Sequence, residues 1–199
     1  LNVIDKLKAS QTTEDLFTQM DASGIEHAVV HAEYEVGDPA DTMNRAVADL
    51  IQQYPKRFSG IGTISMQNLN IKKALRQIDE CAEMGLIGLS IEPAFFGLHL
   101  NEKKLYPIYA KAMEKNLLVA LHTGINYTTN RPMAGENPTL LDEIACDFPD
   151  LTLVASHGGW PWIAEMVAVA RKHPQVYIEF GGIAPKYVGA AGSGWEVMY

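Results

Sequence analysis

The sequence is poor in cysteine and has no long apolar run. It contains two cysteines in 199 residues, Cys81 and Cys146, and no CxxC pair. This argues against a disulfide-rich secreted scaffold and favours reduced thiols in the core. No apolar run is long enough to cross a bilayer, and no signal peptide is visible. We therefore expect a cytoplasmic protein that does not act at a membrane.

Positive charge is also scarce. The chain has 16 Lys and Arg against 24 Asp and Glu, a formal net charge of -8. Such a chain repels phosphate backbones, so nucleic acid is not an expected partner. A small anionic substrate is still compatible with this charge, because a local metal ion or arginine outweighs distant charges.

Two further motif classes are absent. Neither GxGxxG nor GxxxxGK[ST] follows the first predicted strand, which weakens the case for a nucleotide-binding open sheet. No lysine ends a predicted strand, which weakens the case for a barrel lyase or isomerase with a Schiff-base lysine.

The chain instead alternates apolar strand-like runs with amphipathic helical segments. The runs are nearly continuous, which is typical of parallel strands covered by helices on both faces. They recur at intervals of about 25–34 residues, the size of a βα unit. The predicted strands are 25–33, 58–65, 86–93, 117–124, 151–159 and 176–182. The predicted helices begin with one that Thr12-Thr13-Glu14-Asp15 opens with a hydroxyl cap and that Gly24 closes, followed by 39–54, 71–85, 102–116, 138–149 and 161–174.

This alternation fits an open doubly wound sheet or a closed barrel. Polar residues at the carboxyl ends of many strands favour the barrel, because barrel enzymes build their sites there. They are His31, Glu33, Ser65, Glu92, His122, His157 and Glu179. A TIM-type (β/α)8 barrel needs about 250 residues. We therefore predict that residues 1–199 form a single, incomplete barrel domain, with strands 2–7 visible and the first and last strands absent.

Two histidines stand out at the strand ends. His122 closes the apolar run LLVAL and precedes Thr123-Gly124, and His157 follows LTLVAS and precedes two glycines. Because parallel strands end at one rim, the two imidazoles should converge. A lone strand-end histidine can equally be a hydrogen-bonded core residue. Two histidines do not complete a zinc site, which usually takes three or four protein ligands.

HTG followed one βα unit later by SHGGWPW resembles the amidohydrolase superfamily. The stretches LYPIYAKAMEKNLLVALHTG and TTEDLFTQMDASGIEHAVV resemble, more narrowly, the amidohydrolase-related branch that includes aminocarboxymuconate semialdehyde decarboxylase. The resemblance implies that His122 is a metal ligand and that His157 is a catalytic histidine beside the metal. The family's first-strand His-x-His or Glu-x-His pair and its eighth-strand aspartate have no counterpart here. His27 and His31 come nearest to the pair, but they are spaced by four on the second strand.

The resemblance also bears on the metal. Relatives with two metals often carry a lysine where this chain has Ser90, so it implies one divalent metal. Zinc is the first expectation, and manganese is the alternative.

Four further residues are candidates for substrate binding. Arg131, in the polar loop 125–138, could pair with a substrate carboxylate. Trp160 could wall the pocket, Phe95 could form a lid or an oligomer contact, and Glu92 could face the site. The alternatives are a solvated arginine, a tryptophan that packs at a helix start, and a structural acid.

These residues leave several functions open. The first is a metal-dependent hydrolase that acts through an activated water on a small, carboxylated substrate. The second is a metal-dependent, non-oxidative decarboxylase of an unsaturated or aromatic acid. The third is a non-catalytic barrel that has lost its metal. A homodimer or a larger homo-oligomer is compatible with each.

Overall fold

The structure is a computed structural model that describes residues 12–33, 39–182 and 185–195. Six parallel strands form one sheet, and their order in the sheet is their order in the chain. The strands are β1 Ala28–His31, β2 Phe58–Gly62, β3 Gly88–Ile91, β4 Leu118–His122, β5 Leu153–Ser156 and β6 Val176–Ile178. All six predicted strands are therefore present, each shorter than its apolar run.

Helices lie before, between and after the strands, and the first six of them were predicted. They are α1 Thr13–Ala22, α2 Ala40–Gln53, α3 Ile71–Glu83, α4 Tyr106–Glu114, α5 Leu140–Asp147, α6 Ile163–Lys172 and α7 Pro185–Val188. Short 3-10 turns lie at Pro93–Phe96, Lys103–Leu105, Met133–Glu136 and His157–Gly159.

The helix starts follow local chemistry. Thr12 and Asp15 form a reciprocal capping box at the start of α1, and the Asn70 side chain accepts the Lys73 N–H at the start of α3. These bonds satisfy N–H groups that have no partner within the helix. The predicted helix 102–116 instead begins with a 3-10 turn. Pro107, which lacks an N–H, lies in the first turn of α4, where none is needed.

The two faces of the sheet are distinguished by what they contact. A Cβ on Gly60 would lie 2.6 Å from a Val47 side-chain carbon of α2, so this face of β2 packs against helices. Side chains alternate along a strand, so Val29, Ser90 and His122 belong to the opposite, inner face, and they line one cavity with Glu179. That a single cavity reaches residues of β1 and of the segment directly after β6 shows that the sheet is curled.

The two edge strands do not pair with each other in the described residues. Val29 on β1 and Tyr177 on β6 lie on the inner face, and 48% and 58% of their surface is exposed. The architecture is thus an incomplete parallel β/α barrel.

The core lies between the sheet and the helices. Fully buried side chains of the strands pack with those of the helices, including Leu89, Leu121, Leu153, Ile78, Ile108 and Ile144. Burying one such side chain contributes roughly 1.5–3 kcal/mol.

The prediction that both cysteines are core thiols is half wrong. Cys81 on α3 is fully buried, whereas Cys146 on α5 is exposed, because it lies on the outer side of an amphipathic helix. Among the described helices, none has the length and apolar character that a bilayer crossing requires.

Candidate functional site

The structure brings His122 and His157 together at the carboxyl ends of the strands. Their ring centroids are 4.6 Å apart, with the rings inclined by 59°. Three adjoining cavities, of about 580, 480 and 390 Å³, each include both imidazoles in their walls. The convergence predicted from the strand ends is observed.

His122 is held by the pairing of β4 with β5. It is the last residue of β4 and lies opposite Ser156, whose carbonyl accepts the Thr123 hydroxyl at 2.6 Å. The side chain of His122 is 12% exposed. Gly124 follows with a φ of +94°, and a Cβ there would lie 2.5 Å from the Trp160 carbonyl oxygen. Only glycine lets the loops that carry the two histidines approach so closely.

His157 lies one residue beyond β5, which ends at Ser156, although the predicted strand 151–159 included it. Successive strand residues point to opposite faces, yet Ser156 and His157 both line the inner cavity. The backbone explains this, because His157 has a φ of +67° and turns its side chain back to the inner side. A left-handed conformation is uncommon for a non-glycine residue, and active sites often contain one.

Contacts from the end of β6 hold this turn. The Glu179 carbonyl accepts the Gly158 N–H at 2.9 Å, and its carboxylate accepts the His157 N–H at 3.4 Å and the Gly181 N–H. The His157 Nδ1 lies 2.6 Å from the Gly181 carbonyl oxygen. A carbonyl only accepts, so Nδ1 carries a hydrogen and Nε2 is left for the cavity.

Glu136 is a site residue that the sequence did not reveal. It is fully buried, and its Oε1 lies 2.7 Å from the His122 Nδ1. Its Oε2 accepts a hydrogen bond from the Asn126 amide. Loop 125–138 is recognisably polar in sequence, and a metal-ligating histidine generally needs an acceptor behind its other ring nitrogen. Nothing in the sequence indicates which acid folds back beneath His122.

The other predicted site residues also line these cavities. Glu92, Phe95 and Arg131 share the 580 Å³ cavity with both histidines, and Trp160 joins Phe95 in the 480 Å³ cavity. The Phe95 ring stands nearly perpendicular to the His122 ring, with the centroids 5.1 Å apart. The Arg131 Nε donates to the Phe95 carbonyl at 3.2 Å.

The inner cavity is rich in groups that bind cations. Besides the two histidines it is lined by the imidazole of His31 and by the carboxylates of Glu33, Glu92 and Glu179. Imidazole nitrogens and carboxylate oxygens are the ligands that zinc and manganese accept. These donor types suit a divalent metal, and the His122 side chain among them is 12% exposed. In the described residues no three of their ligand atoms lie within 4.8 Å of one another, so they supply part of a ligand set.

A second cluster with metal-binding chemistry lies elsewhere. Asp142 and Cys146 of α5 and His173 after α6 bring their ligand atoms within 4.8 Å of one another. Asp142 Oδ1 already contacts Lys172 Nζ and His173 Nε2, each at 2.6 Å. This ion pair between helices accounts for the cluster, whose residues are not among those that line the three cavities at the strand ends.

Comparisons with known proteins agree with this geometry. The family model described as amidohydrolase matches residues 6–198. A 2-amino-3-carboxymuconate-6-semialdehyde decarboxylase of Dictyostelium discoideum is 29% identical over 86 residues, which is 43% of this chain and 23% of that protein.

Two solved structures share the fold. An uncharacterized TIM-barrel protein of Bordetella bronchiseptica has a TM-score of 0.72 and 31% identity, covering 84% of this chain and 58% of its own. A 5-carboxyvanillate decarboxylase of Novosphingobium aromaticivorans, solved as a mutant with manganese and 3-methoxy-4-hydroxy-5-nitrobenzoic acid, has a TM-score of 0.62 and 25% identity, covering 79% and 51%.

The chain thus spans less than two thirds of the length of these relatives. The family match, in contrast, extends over almost all of it. The strand-end histidines, the β/α architecture and this match lead to one conclusion: the chain belongs to the amidohydrolase family, in the amidohydrolase-related branch that resembles aminocarboxymuconate semialdehyde decarboxylase.

Proposed function

We propose that this chain carries part of the active site of a metal-dependent, non-oxidative decarboxylase of an aromatic or unsaturated carboxylic acid. Hydrolysis was the first expectation from the sequence. Decarboxylation now takes precedence, because the Dictyostelium discoideum relative and the Novosphingobium aromaticivorans structure are both named as decarboxylases. Hydrolysis of a small carboxylated compound remains the alternative.

One observation carries the proposal. A single cavity contains two imidazoles, together with an arginine and an aromatic ring. Behind the rings, the His157 Nδ1 bonds to the Gly181 carbonyl and the His122 Nδ1 lies 2.7 Å from the Glu136 carboxylate. Both Nε2 atoms are thereby left to the cavity. The arginine supplies charge for an acid, and the ring supplies an apolar surface for an unsaturated carbon skeleton.

His157 is suited to move the proton. Decarboxylation breaks the bond between carbon and the carboxyl group, releases CO2 and leaves an electron pair on the carbon, which must receive a proton. Protonated His157 can hold that proton at Nε2 while its Nδ1–H stays on the Gly181 carbonyl. An imidazole nitrogen can both donate and accept a proton, so Nε2 can deliver the proton and recover it from water.

Arg131, Phe95 and Trp160 are suited to hold the substrate. The Arg131 guanidinium can bind a carboxylate in a forked geometry while its Nε remains on the Phe95 carbonyl. The exposed Trp160 and the Phe95 ring flank the histidines and would contact a planar substrate. Glu92 would contribute a carboxylate on the metal side.

We propose one divalent metal, with His122 Nε2 among its ligands. Such an ion polarises a substrate oxygen and stabilises negative charge as it develops. Zinc is the first expectation from the histidine ligand, whereas the related 5-carboxyvanillate decarboxylase was solved with manganese. We also retain as predictions a cytoplasmic location and a homo-oligomeric assembly.

The test combines metal content with product detection. Purified protein would be analysed for metals by mass spectrometry and assayed for CO2 release from a panel of aromatic and unsaturated acids. We expect one equivalent of zinc or manganese, and CO2 from at least one acid. His122→Ala should lose both, whereas His99→Ala, an exposed histidine outside the three cavities, should lose neither.

Two outcomes contradict the proposal. Metal and product formed by hydrolysis, without CO2, would return the chain to the hydrolase interpretation. No stoichiometric metal, together with an unchanged His122→Ala variant, would leave the non-catalytic scaffold.

A further inference from the structure

A buried chain of polar groups lies behind His122. The backbone N–H of Thr128 donates to the Asn126 Oδ1 at 3.1 Å, and the Asn126 Nδ2 donates to the Glu136 Oε2. The other oxygen of Glu136 lies 2.7 Å from the His122 Nδ1. Asn126 is 6% exposed and Glu136 is fully buried.

Burying a carboxylate without compensation is costly. Glu136 is the last residue of the turn Met133–Glu136 and is buried. The Glu136 backbone carbonyl accepts the Gly124 N–H at 2.9 Å, which anchors the loop to the end of β4. Its carboxylate contacts the imidazole on one side and the Asn126 amide on the other. Packing the loop would not require a charged group here, because an amide could make hydrogen bonds on both sides.

The order of donors and acceptors in this chain has a fixed direction. A backbone N–H can only donate, so the Asn126 oxygen faces Thr128 and its NH2 faces Glu136. The carboxylate can only accept, so it cannot supply a hydrogen to His122.

The position of the hydrogen on His122 follows. The Nδ1 and the carboxylate oxygen approach to 2.7 Å without the alignment of a linear hydrogen bond. An ionised carboxylate at 2.7 Å attracts the positive end of an N–H and repels a bare ring nitrogen, so it favours the hydrogen on Nδ1. In the neutral ring Nε2 then keeps its lone pair.

We propose that Asn126 and Glu136 are positioning residues that hold His122 in the Nδ1–H tautomer and present the Nε2 lone pair to the cavity. Acceptors behind a metal-ligating histidine set its tautomer and strengthen it as a ligand. The benefit for metal binding rests on the proposed function above. The tautomer itself does not, because it is a property of the metal-free protein.

Glu136→Gln provides a test of nearly unchanged shape. The Asn126 NH2 still requires an oxygen, so the carbonyl of the introduced glutamine turns towards Asn126 and its NH2 turns towards His122. His122 Nδ1 must then accept, and the hydrogen moves to Nε2. Long-range ¹H–¹⁵N spectra of metal-free protein distinguish the two nitrogens, and the same ¹⁵N shifts identify the pH at which the ring is neutral.

A second substitution reverses the first. In Asn126→Asp combined with Glu136→Gln, one oxygen of the introduced aspartate keeps the Thr128 N–H, and the other accepts from the NH2 of the introduced glutamine. The glutamine carbonyl then faces His122, and the Nδ1–H tautomer returns. Glu143→Gln, an exposed glutamate on α5 that contacts Asn101 and Lys103, is the control and should leave the tautomer unchanged.

Metal affinity is the second measurement, by competition between the protein and a chelator for zinc. We expect Glu136→Gln to weaken binding about 10- to 100-fold, and the double variant to regain most of the loss. A merely structural role for Glu136 would not predict recovery by a second buried change.

The outcomes separate this proposal from the preceding one. Nε2–H in the unsubstituted protein overturns the tautomer assignment, whether or not the variants fold. An unchanged tautomer in Glu136→Gln, or no reversal in the double variant, overturns the positioning role of Asn126 and Glu136. If the tautomers are as expected but neither zinc nor manganese binds, the positioning role is supported and the proposed metal site is contradicted.

Discussion

His122 and His157 lie with their ring centroids 4.6 Å apart, but they reach this arrangement by different backbone routes. His122 ends a regular strand, whereas His157 lies in a left-handed turn beyond the neighbouring strand. Behind one ring is a carboxylate and behind the other a backbone carbonyl. The proposed roles differ accordingly, with metal binding for His122 and proton transfer for His157.

The first prediction separates these roles. His157→Asn should retain the metal and lower kcat about 10²- to 10⁴-fold, because it removes the group proposed to move the proton. His122→Asn should lose the metal. Metal content and kcat measured on the same preparations check this. Loss of metal in His157→Asn with normal folding would mean that His157 is itself a ligand.

The second prediction concerns Gly124. Gly124→Ala should lower the free energy of unfolding by about 2–4 kcal/mol, since it combines a positive φ with a clash against a backbone carbonyl. Gly85→Ala is the control. Gly85 has a φ of +78°, but no atom lies within 4 Å of its added Cβ, so about 1 kcal/mol should be lost. Urea unfolding of both variants measures the difference, and equal losses would contradict the close approach of the two loops.

The third prediction concerns the thiols. Burial raises the pKa of Cys81 to about 12, so this thiol stays protonated at neutral pH and is shielded from reagents. Cys146 is exposed. A disulfide reagent should therefore modify one thiol per native chain rapidly, and two after denaturation. Cys146→Ser should abolish the rapid phase. If the rapid phase survives in that variant, Cys81 is accessible and the packing of α3 on β2 is looser than described.

The fourth prediction concerns Arg131. Arg131→Met should weaken competitive inhibition by substituted benzoates at least tenfold, because it removes the charge proposed to hold the carboxylate. Arg131→Lys keeps the charge but not the forked geometry, so it should recover only part of the loss. Inhibition constants at two salt concentrations measure both effects. Equal inhibition of all three proteins would mean that Arg131 does not bind the carboxylate and only holds the loop through its bond with the Phe95 carbonyl.

Much of the architecture could be predicted from local patterns. Continuous apolar runs separated by amphipathic segments indicate parallel strands and helices, because each pattern follows the residues that an element buries. All six strands and their connecting helices were located in this way. Their ends were less predictable. The predicted strand 151–159 extends past the end of β5, because the chain turns at His157. Contacts with Glu179 and Gly181 hold that turn, and a local sequence pattern does not contain them.

The candidate site shows the same division. His122, His157, Glu92, Phe95, Arg131 and Trp160 were all singled out in sequence, and all line the cavities at the strand ends. Glu136 and Asn126 were not. In sequence they are two polar residues of a polar loop, and their burial depends on how that loop folds back on β4.

The sequence by itself determined the periodicity of the chain, the histidines at the strand ends and the resemblance to a family, because each is carried by neighbouring residues. The tertiary structure alone decided which way each imidazole presents its free nitrogen. That choice depends on acceptors from other segments, Glu136 behind His122 and Gly181 behind His157. A hydrogen bond is set by distance and direction in space, which spacing along a chain does not specify.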